Sequence, residues 1–157
     1  MDTKYLIIVF FVILVAVVVL VLKASGSRAF SLYQSSDIMT AHELVLYKKL
    51  TSLLQSSQYS VLSQVSMGAM IKTRSGLSRS ESQSARNRYD RKIVDFVIID
   101  GNGKTKLIIE LDDSSHISSR DADRDKLTAS AGYKTERLRR AHKITREELR
   151  EVLKRHL

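Results

Sequence analysis

The stretch IVDFVIIDGNGKTKLIIELDDSSH, residues 93–116, decides the fold of this chain. Two aliphatic runs, IVDFVII and LIIEL, flank the glycine-rich GNG, and this pattern predicts two strands joined as a hairpin. The first run contains Asp95, and the second leads into Glu110, Asp112 and Asp113. A charged group inside a strand costs free energy unless it is paired or metal-bound, so these carboxylates need a physical explanation.

The length of the hairpin loop decides whether these acids meet. Side chains alternate between the two faces of a strand, so Glu110 and Asp112 share a face. If the loop has four residues, Asp100 faces Thr105, and Asp95 then lies opposite Glu110. A two-residue loop leaves Asp95 on the same face as Glu110, whereas a three-residue loop places it on the other face. A site made from these acids is therefore compatible with only some hairpin registers.

Carboxylates that meet on one patch repel one another, and a hard divalent cation relieves that repulsion. Carboxylate and carbonyl oxygens suit Mg²⁺ or Mn²⁺. The chain has no cysteine, which excludes a cysteine-based zinc site. The alternative is that Asp95 pairs with Arg91, Lys92 or Arg124 and that no metal binds.

The N-terminal region predicts a membrane anchor. YLIIVFFVILVAVVVLVL, residues 5–22, is an uninterrupted apolar run of the length that a membrane-spanning helix needs. Lys23 follows at once and no small-residue cleavage site is evident, which favours a retained helix over a cleaved signal peptide. Residues 1–4 are a short tail, and the basic remainder predicts that the C-terminal domain is cytoplasmic.

The rest of the chain predicts one folded domain behind a tether. The Ser-rich segment 23–37 predicts a flexible tether, and the domain should begin near Ile38 and run to residue 157. The predicted elements are helix 39–55, strand 59–71, hairpin 92–111, helix 118–132, strand 133–141 and helix 144–157. This order predicts an α/β domain with a small mixed sheet.

Local signals add detail to this order. Thr40 with Glu43, and Thr145 with Glu148, have capping-box spacing and predict the starts of the first and last helices. The polar, basic segment 73–90 predicts a long mobile loop.

The hairpin resembles a known superfamily. An acid on one strand followed by Glu on the next is the pattern of PD-(D/E)xK nucleases. VDFVI, IELDDSSH and a helix containing RD resemble the bacterial domain-of-unknown-function family 2726, over about residues 38–140. The resemblance implies a restriction-endonuclease-like fold, with a small mixed sheet flanked by helices. It also implies metal-dependent hydrolysis of phosphodiesters in DNA or RNA, here at a bacterial inner membrane.

The resemblance also assigns roles to individual residues. Asp95, Glu110 and Asp112 would hold the metal, with the backbone carbonyl of Leu111. Asp112 stands where the superfamily has lysine, and this departure leaves open a catalytically silent nucleic-acid-binding protein on the same fold.

Four further residues are candidates for roles in the site. Lys126 or Lys92 would supply the missing cation. His116 would act as base or acid near neutral pH, or would simply cap the strand. Gln64 would face the site, or would be an ordinary polar residue of an edge strand.

The charge of the chain predicts an anionic partner. The net charge is +9, and seven basic but only two acidic residues lie between positions 72 and 92. A cluster of this kind suits a phosphate backbone, and it equally suits anionic lipid headgroups in a membrane-surface interaction protein. The predicted nucleic-acid contacts are Lys72, Arg74, Arg79, Arg86, Arg88, Arg91 and Lys92.

Overall fold

The computed structural model describes residues 2–30, 32–112, 119–140 and 143–157. The chain divides into two units, Met1–Asp37 and Ile38–Leu157. His116 and Asp113 lie outside the described residues, so the role predicted for His116 remains a prediction.

The first unit contains one long helix, α1, Thr3–Phe30. Its segment Thr3–Lys23 has a mean hydropathy of 3.6 and is long and apolar enough, by length and composition, to cross a membrane. The helix continues past the apolar run, so the first part of the predicted tether is helical and the prediction for it was wrong. Residues 23–30 contain no proline and include Ala, Lys and Arg, which are good helix formers.

The second unit is a mixed α/β domain. Its four-stranded sheet has the order β1-β2-β3-β4. β1, β2 and β3 pair antiparallel, and β4 is parallel to β3, which confirms the predicted small mixed sheet. The elements are α2 Ala41–Leu54, β1 Ser60–Ser66, α3 Met67–Met70, α4 Arg79–Asn87, β2 Ile93–Ile99, β3 Thr105–Asp112, α5 Ser119–Ser130, β4 Thr135–Arg139 and α6 Arg146–His156.

Both predicted capping boxes are present. The Oγ1 of Thr40 accepts from the N–H of Glu43 at 3.3 Å at the start of α2. The Oγ1 of Thr145 accepts from the N–H of Glu148 at 3.1 Å at the start of α6. In each case the glutamate carboxylate accepts from the N-cap N–H in return, which satisfies a second donor of the helix end.

Two local predictions were wrong because capping chemistry outweighs composition. The segment 73–90 contains helix α4, which starts with a third capping box between Ser78 and Glu81. Strand β1 ends at Ser66, whose Oγ accepts from the N–H of Gly68 at 3.2 Å and starts the short helix α3.

Apolar side chains cover both faces of the sheet. On one face, α2 and α6 contribute Leu46, Leu50 and Leu149, which pack with Phe96 and Ile109 of the sheet. The second cluster joins Val97 and Ile108 of the sheet to Met67, with Leu127 and Tyr133 at its border. The strand ends that carry the acids are thereby held on two sides.

The hairpin reaches the required register by a route that the sequence did not predict. Asp100 N–H donates to the carbonyl of Lys104 at 2.9 Å, and Gly103 has φ +75°, a left-handed conformation that glycine adopts at little cost. Ile99 therefore pairs with Thr105, and the expected Asp100–Thr105 pair does not form.

This short loop alone would place Asp95 opposite Ile109, on the wrong face. A β-bulge corrects it, because the register shifts between Ile98 and Ile99 and Ile98 pairs with Leu107. The extra residue is Lys106, whose Nζ lies 3.4 Å from the Oδ2 of Asp100. The bulge restores the alignment that a four-residue loop would have given.

The third capping box can be tested by amide hydrogen exchange. Replacing Ser78 with Ala should destabilise α4 by about 1 kcal/mol, because the N–H of Glu81 loses its acceptor, the Oγ of Ser78. Amides of residues 79–87 in the full chain should then exchange about fivefold faster. Ser84→Ala, an exposed position within the same helix, is the matched control and should leave exchange unchanged or slower. Fast exchange of these amides in the wild type would instead indicate that residues 79–87 form a loop and not a helix.

Candidate acidic site

Asp95 and Glu110 meet where strands β2 and β3 separate. The ladder ends with the pair Phe96 and Ile109, and Asp95 and Glu110 are the next residues on the two strands. At this level of the sheet, the side chain of Asp95 contacts the neighbouring strand, because the N–H of Leu111 donates to its Oδ2 at 2.8 Å. The Asp95 carboxylate is thus fixed against the backbone of the strand that carries Glu110.

Glu110 is the buried member of the pair, with 4% of its surface exposed. Burial, together with the nearby charge of Asp95, raises the pKa of its carboxyl group to about 7, against the opposing effect of Arg124 and Arg137. Burial also raises the pKa of Asp95, although the hydrogen bond from Leu111 opposes this shift. Two carboxyl groups that resist ionisation side by side can accept a proton or a metal ion.

Two arginines lie beside these carboxylates. Arg124 of α5 places its Nη1 3.7 Å from the Oε2 of Glu110. Arg137 of β4 is the register partner of Glu110, and it forms a two-pronged ion pair with Asp125 at 2.8 and 3.1 Å. The positive charges beside the two acids are therefore those of Arg124 and Arg137.

The sequence prediction named Lys126 or Lys92 as the cation, and neither forms an ion pair with these acids in the part of the chain that the structure describes. The open alternative for Asp95 was an ion pair with Arg91, Lys92 or Arg124. The structure instead gives Asp95 the backbone N–H of Leu111 as its hydrogen-bond donor. Arg124 acts on Asp95 through its charge.

Asp112 lies one alternation beyond Glu110 on β3. Its Oδ2 is 4.0 Å from the Nε of Arg139, its register partner on β4. Across the described residues, no group of three or more Asp, Glu or His side chains is gathered at metal-holding distance. The structure thus brings together Asp95 and Glu110, and the metal roles of Asp112 and the Leu111 carbonyl remain predictions.

Glu43 is a residue of this site that the sequence analysis did not assign to it. Its Oε2 accepts from the N-cap of α2, while its Oε1 accepts from the Nε2 of Gln64 at 2.8 Å. Its charge also raises the pKa of Asp95. The capping-box spacing explained only one of its two oxygens, and no further signal in the sequence linked it to the hairpin.

Gln64 occupies an unusual position on β1. Its neighbours pair with Phe96 and Val94, so Gln64 stands level with Asp95, and its φ of +53° is left-handed. A residue other than glycine in this conformation interrupts the ladder. Its amide is directed to Glu43, which places Gln64 at the border of the acidic site.

The predicted nucleic-acid contacts lie on and around α4. Three of them, Lys72, Arg74 and Arg88, line a cleft of about 340 Å³ together with apolar residues that include Ile71, Leu77 and Leu127. Arg86 pairs with Asp90 at 3.4 Å. The other predicted contacts have no ion-pair partner among the described residues, which leaves this surface strongly positive.

The comparisons with known proteins give one match. The model of a family described as "Protein of unknown function (DUF2726)" matches residues 35–156. No curated protein and no solved structure matches the chain.

The raised pKa of Glu110 predicts how stability depends on pH in the presence of EDTA. A carboxyl whose pKa rises from 4.5 to about 7 on folding holds its proton more tightly in the folded state. The free energy of unfolding should therefore fall by about 3 kcal/mol as the pH rises from 4.5 to about 7. Glu110→Gln should lack this component, and the two curves should differ by that amount in denaturant titrations of the full chain in micelles. Glu147→Gln, an exposed site, should follow the wild type, and parallel curves for wild type and Glu110→Gln would contradict the burial argument.

Proposed function

The chain belongs to the DUF2726 family, and we propose that it is a membrane-anchored, metal-dependent nuclease that hydrolyses phosphodiesters in nucleic acid. The observation that carries this proposal is the pair of carboxylates, Asp95 and Glu110, which lie close together on adjacent strands with Glu110 buried. Buried carboxyl groups with perturbed pKa values cluster at functional sites, which supports a ligand at this position.

The residues fit a hard divalent metal. Asp95 and Glu110 would hold Mg²⁺ or Mn²⁺, together with Asp112 and the carbonyl of Leu111, because oxygen ligands suit these ions. The raised pKa values of both carboxyl groups support this assignment, since a dication would relieve the repulsion between them. When bound, such a metal polarises a phosphate and activates water for attack.

The restriction-endonuclease-like fold is part of the same proposal. Helices flank a small mixed sheet, and the acids lie on the two strands of its central hairpin. His116 would supply a base or acid in this arrangement.

The anchor and the positive surface support the rest of the proposal. Helix α1 would span a bacterial inner membrane once, with the domain on the cytoplasmic side, where the basic remainder of the chain favours it. The unpaired cations around α4 would contact the phosphates of DNA or RNA.

A catalytically silent nucleic-acid binder is the second candidate, and one observation favours it. Arg124 and Arg137 already offset part of the negative charge of Asp95 and Glu110, so the site has cationic partners before any metal arrives. Asp112 at the position of the superfamily lysine points the same way. A membrane-surface protein, whose cations bind anionic lipids, is separated from both by the binding experiment below.

Metal-dependent cleavage is the direct test. The full chain in detergent micelles should cut plasmid DNA, single-stranded DNA or RNA with Mg²⁺ or Mn²⁺ and should not cut with EDTA. Asp95→Ala and Glu110→Ala should each lower cleavage by about 100-fold or more, because each removes several kcal/mol of transition-state stabilisation. Glu147→Ala is the matched control, since its carboxylate is largely exposed on α6.

The same variants distinguish a metal site without cleavage activity from the absence of a metal site. Mg²⁺ could raise the melting temperature of the wild type but not of the two variants, while no nucleic acid is cut. This result would support the catalytically silent nucleic-acid-binding protein. An absence of any metal effect would remove the metal site altogether.

The role of the cations around α4 in nucleic-acid binding can be tested by comparing two triple variants that remove the same number of positive charges. Replacing Lys72, Arg74 and Arg88 with Ala should weaken nucleic-acid binding and flatten its salt dependence, by about 0.9 in slope for each lost contact to duplex DNA. The control replaces Arg150, Lys154 and Arg155 of α6, which are ion-paired with glutamates. Equal losses in both triple variants would mean that net charge alone governs binding. A loss confined to anionic vesicles would favour the membrane-surface protein.

A further inference from the structure

Arg124 places a partly exposed cation next to the buried carboxylate of Glu110. Its Nη1 lies 3.7 Å from the Oε2 of Glu110, beyond hydrogen-bond distance, and its side chain is 27% exposed against 5% for that of Glu110. The guanidinium is therefore close to the buried acid and still within reach of solvent.

Arg137, the second arginine, is held differently. Two hydrogen bonds, at 2.8 and 3.1 Å, fix its guanidinium to Asp125 in the planar geometry that this pair prefers. Its position is thus set by a partner outside the acid pair. The contact between Arg124 and Glu110 is a longer ion pair, so a dication bound to Glu110 would act on Arg124 through its charge.

A metal ion and Arg124 would compete for Glu110. A dication held by Asp95 and Glu110 would repel the guanidinium, and the repulsion would be offset only if an anion lay between the two cations. A phosphodiester is such an anion, and guanidinium groups bind phosphate oxygens through paired N–H donors.

We propose that Arg124 is a phosphate-binding residue, which pairs with Glu110 in the metal-free site and binds the substrate phosphodiester once a metal occupies the acids. The inference rests on the proposed function and deepens it. It assigns to Arg124 of helix α5 the cationic role that Asp112, at the usual lysine position, cannot perform.

The test measures metal affinity and cleavage in the same variants of the full chain in micelles. Arg124→Ala should bind Mn²⁺ about tenfold more tightly, because a competing cation is gone. It should nevertheless cleave about 100-fold more slowly, because the phosphate loses its partner. Arg124→Lys should recover part of the cleavage. Arg150→Ala is the matched control, since Arg150 also forms a 3.7 Å ion pair, with Glu147 on α6, and both quantities should stay at wild-type values.

The opposite directions of the two effects make the inference falsifiable. Loss of Mn²⁺ affinity and cleavage together in Arg124→Ala would show that Arg124 only supports the shape of the site, and unchanged cleavage would show that the phosphate is held elsewhere. If the wild type binds Mn²⁺ but cuts nothing, the protein is not a nuclease under these conditions. The inference about Arg124 is then decided by DNA binding: Mn²⁺ should strengthen it in the wild type and not in Arg124→Ala. A wild type that binds no Mn²⁺ would overturn the metal site and this inference with it.

Discussion

The burial of the Glu110 carboxylate is the constraint on which the rest of the site depends. A charge at 4% exposure loses most of its hydration, and its surroundings must compensate for that loss. Three compensations are available: a proton, which the raised pKa favours, the positive charges of Arg124 and Arg137, and a metal ion. The functional question is which of these holds under physiological conditions.

The backbone reaches this arrangement by giving up part of its ladder. The N–H of Leu111 takes the side chain of Asp95 as its acceptor, where the strand pairing ends at Phe96 and Ile109. Gln64, on the other neighbour of Asp95, leaves the extended conformation at the same level of the sheet. Departures from regular pairing on both sides of one residue are typical of positions where a sheet is shaped for a ligand.

Local chemistry explains what the sequence could and could not predict. The strands, the two capping boxes and the alternation of Glu110 with Asp112 follow from short-range patterns, and the structure contains them. Helix α4 was missed although Ser78 and Glu81 carry the same capping signal, because the arginines and serines around them suggested a loop. The β-bulge at Lys106 has no short-range signal, since the loop and the register each allow several solutions.

The site residues divide along the same line. Asp95 and Glu110 were recognisable because an acidic residue within an apolar strand is visible in the amino-acid sequence alone. Glu43, Arg124 and Arg137 come from elements that precede or follow the hairpin, and only the packing of α2, α5 and β4 brings their charges to it. A sequence pattern therefore finds the acids more readily than the groups that tune them.

The balance of charge around the acid pair argues for an additional cation. Among the described residues, the strongest charge effects on Asp95 and Glu110 come from two acids, Glu43 and Asp125, and two arginines. With the pair itself ionised, four negative charges face two positive ones. The raised pKa of Glu110 means that a proton offsets part of this deficit near neutral pH. A dication would offset all of it, and this is the charge argument behind the proposed metal at this end of the hairpin.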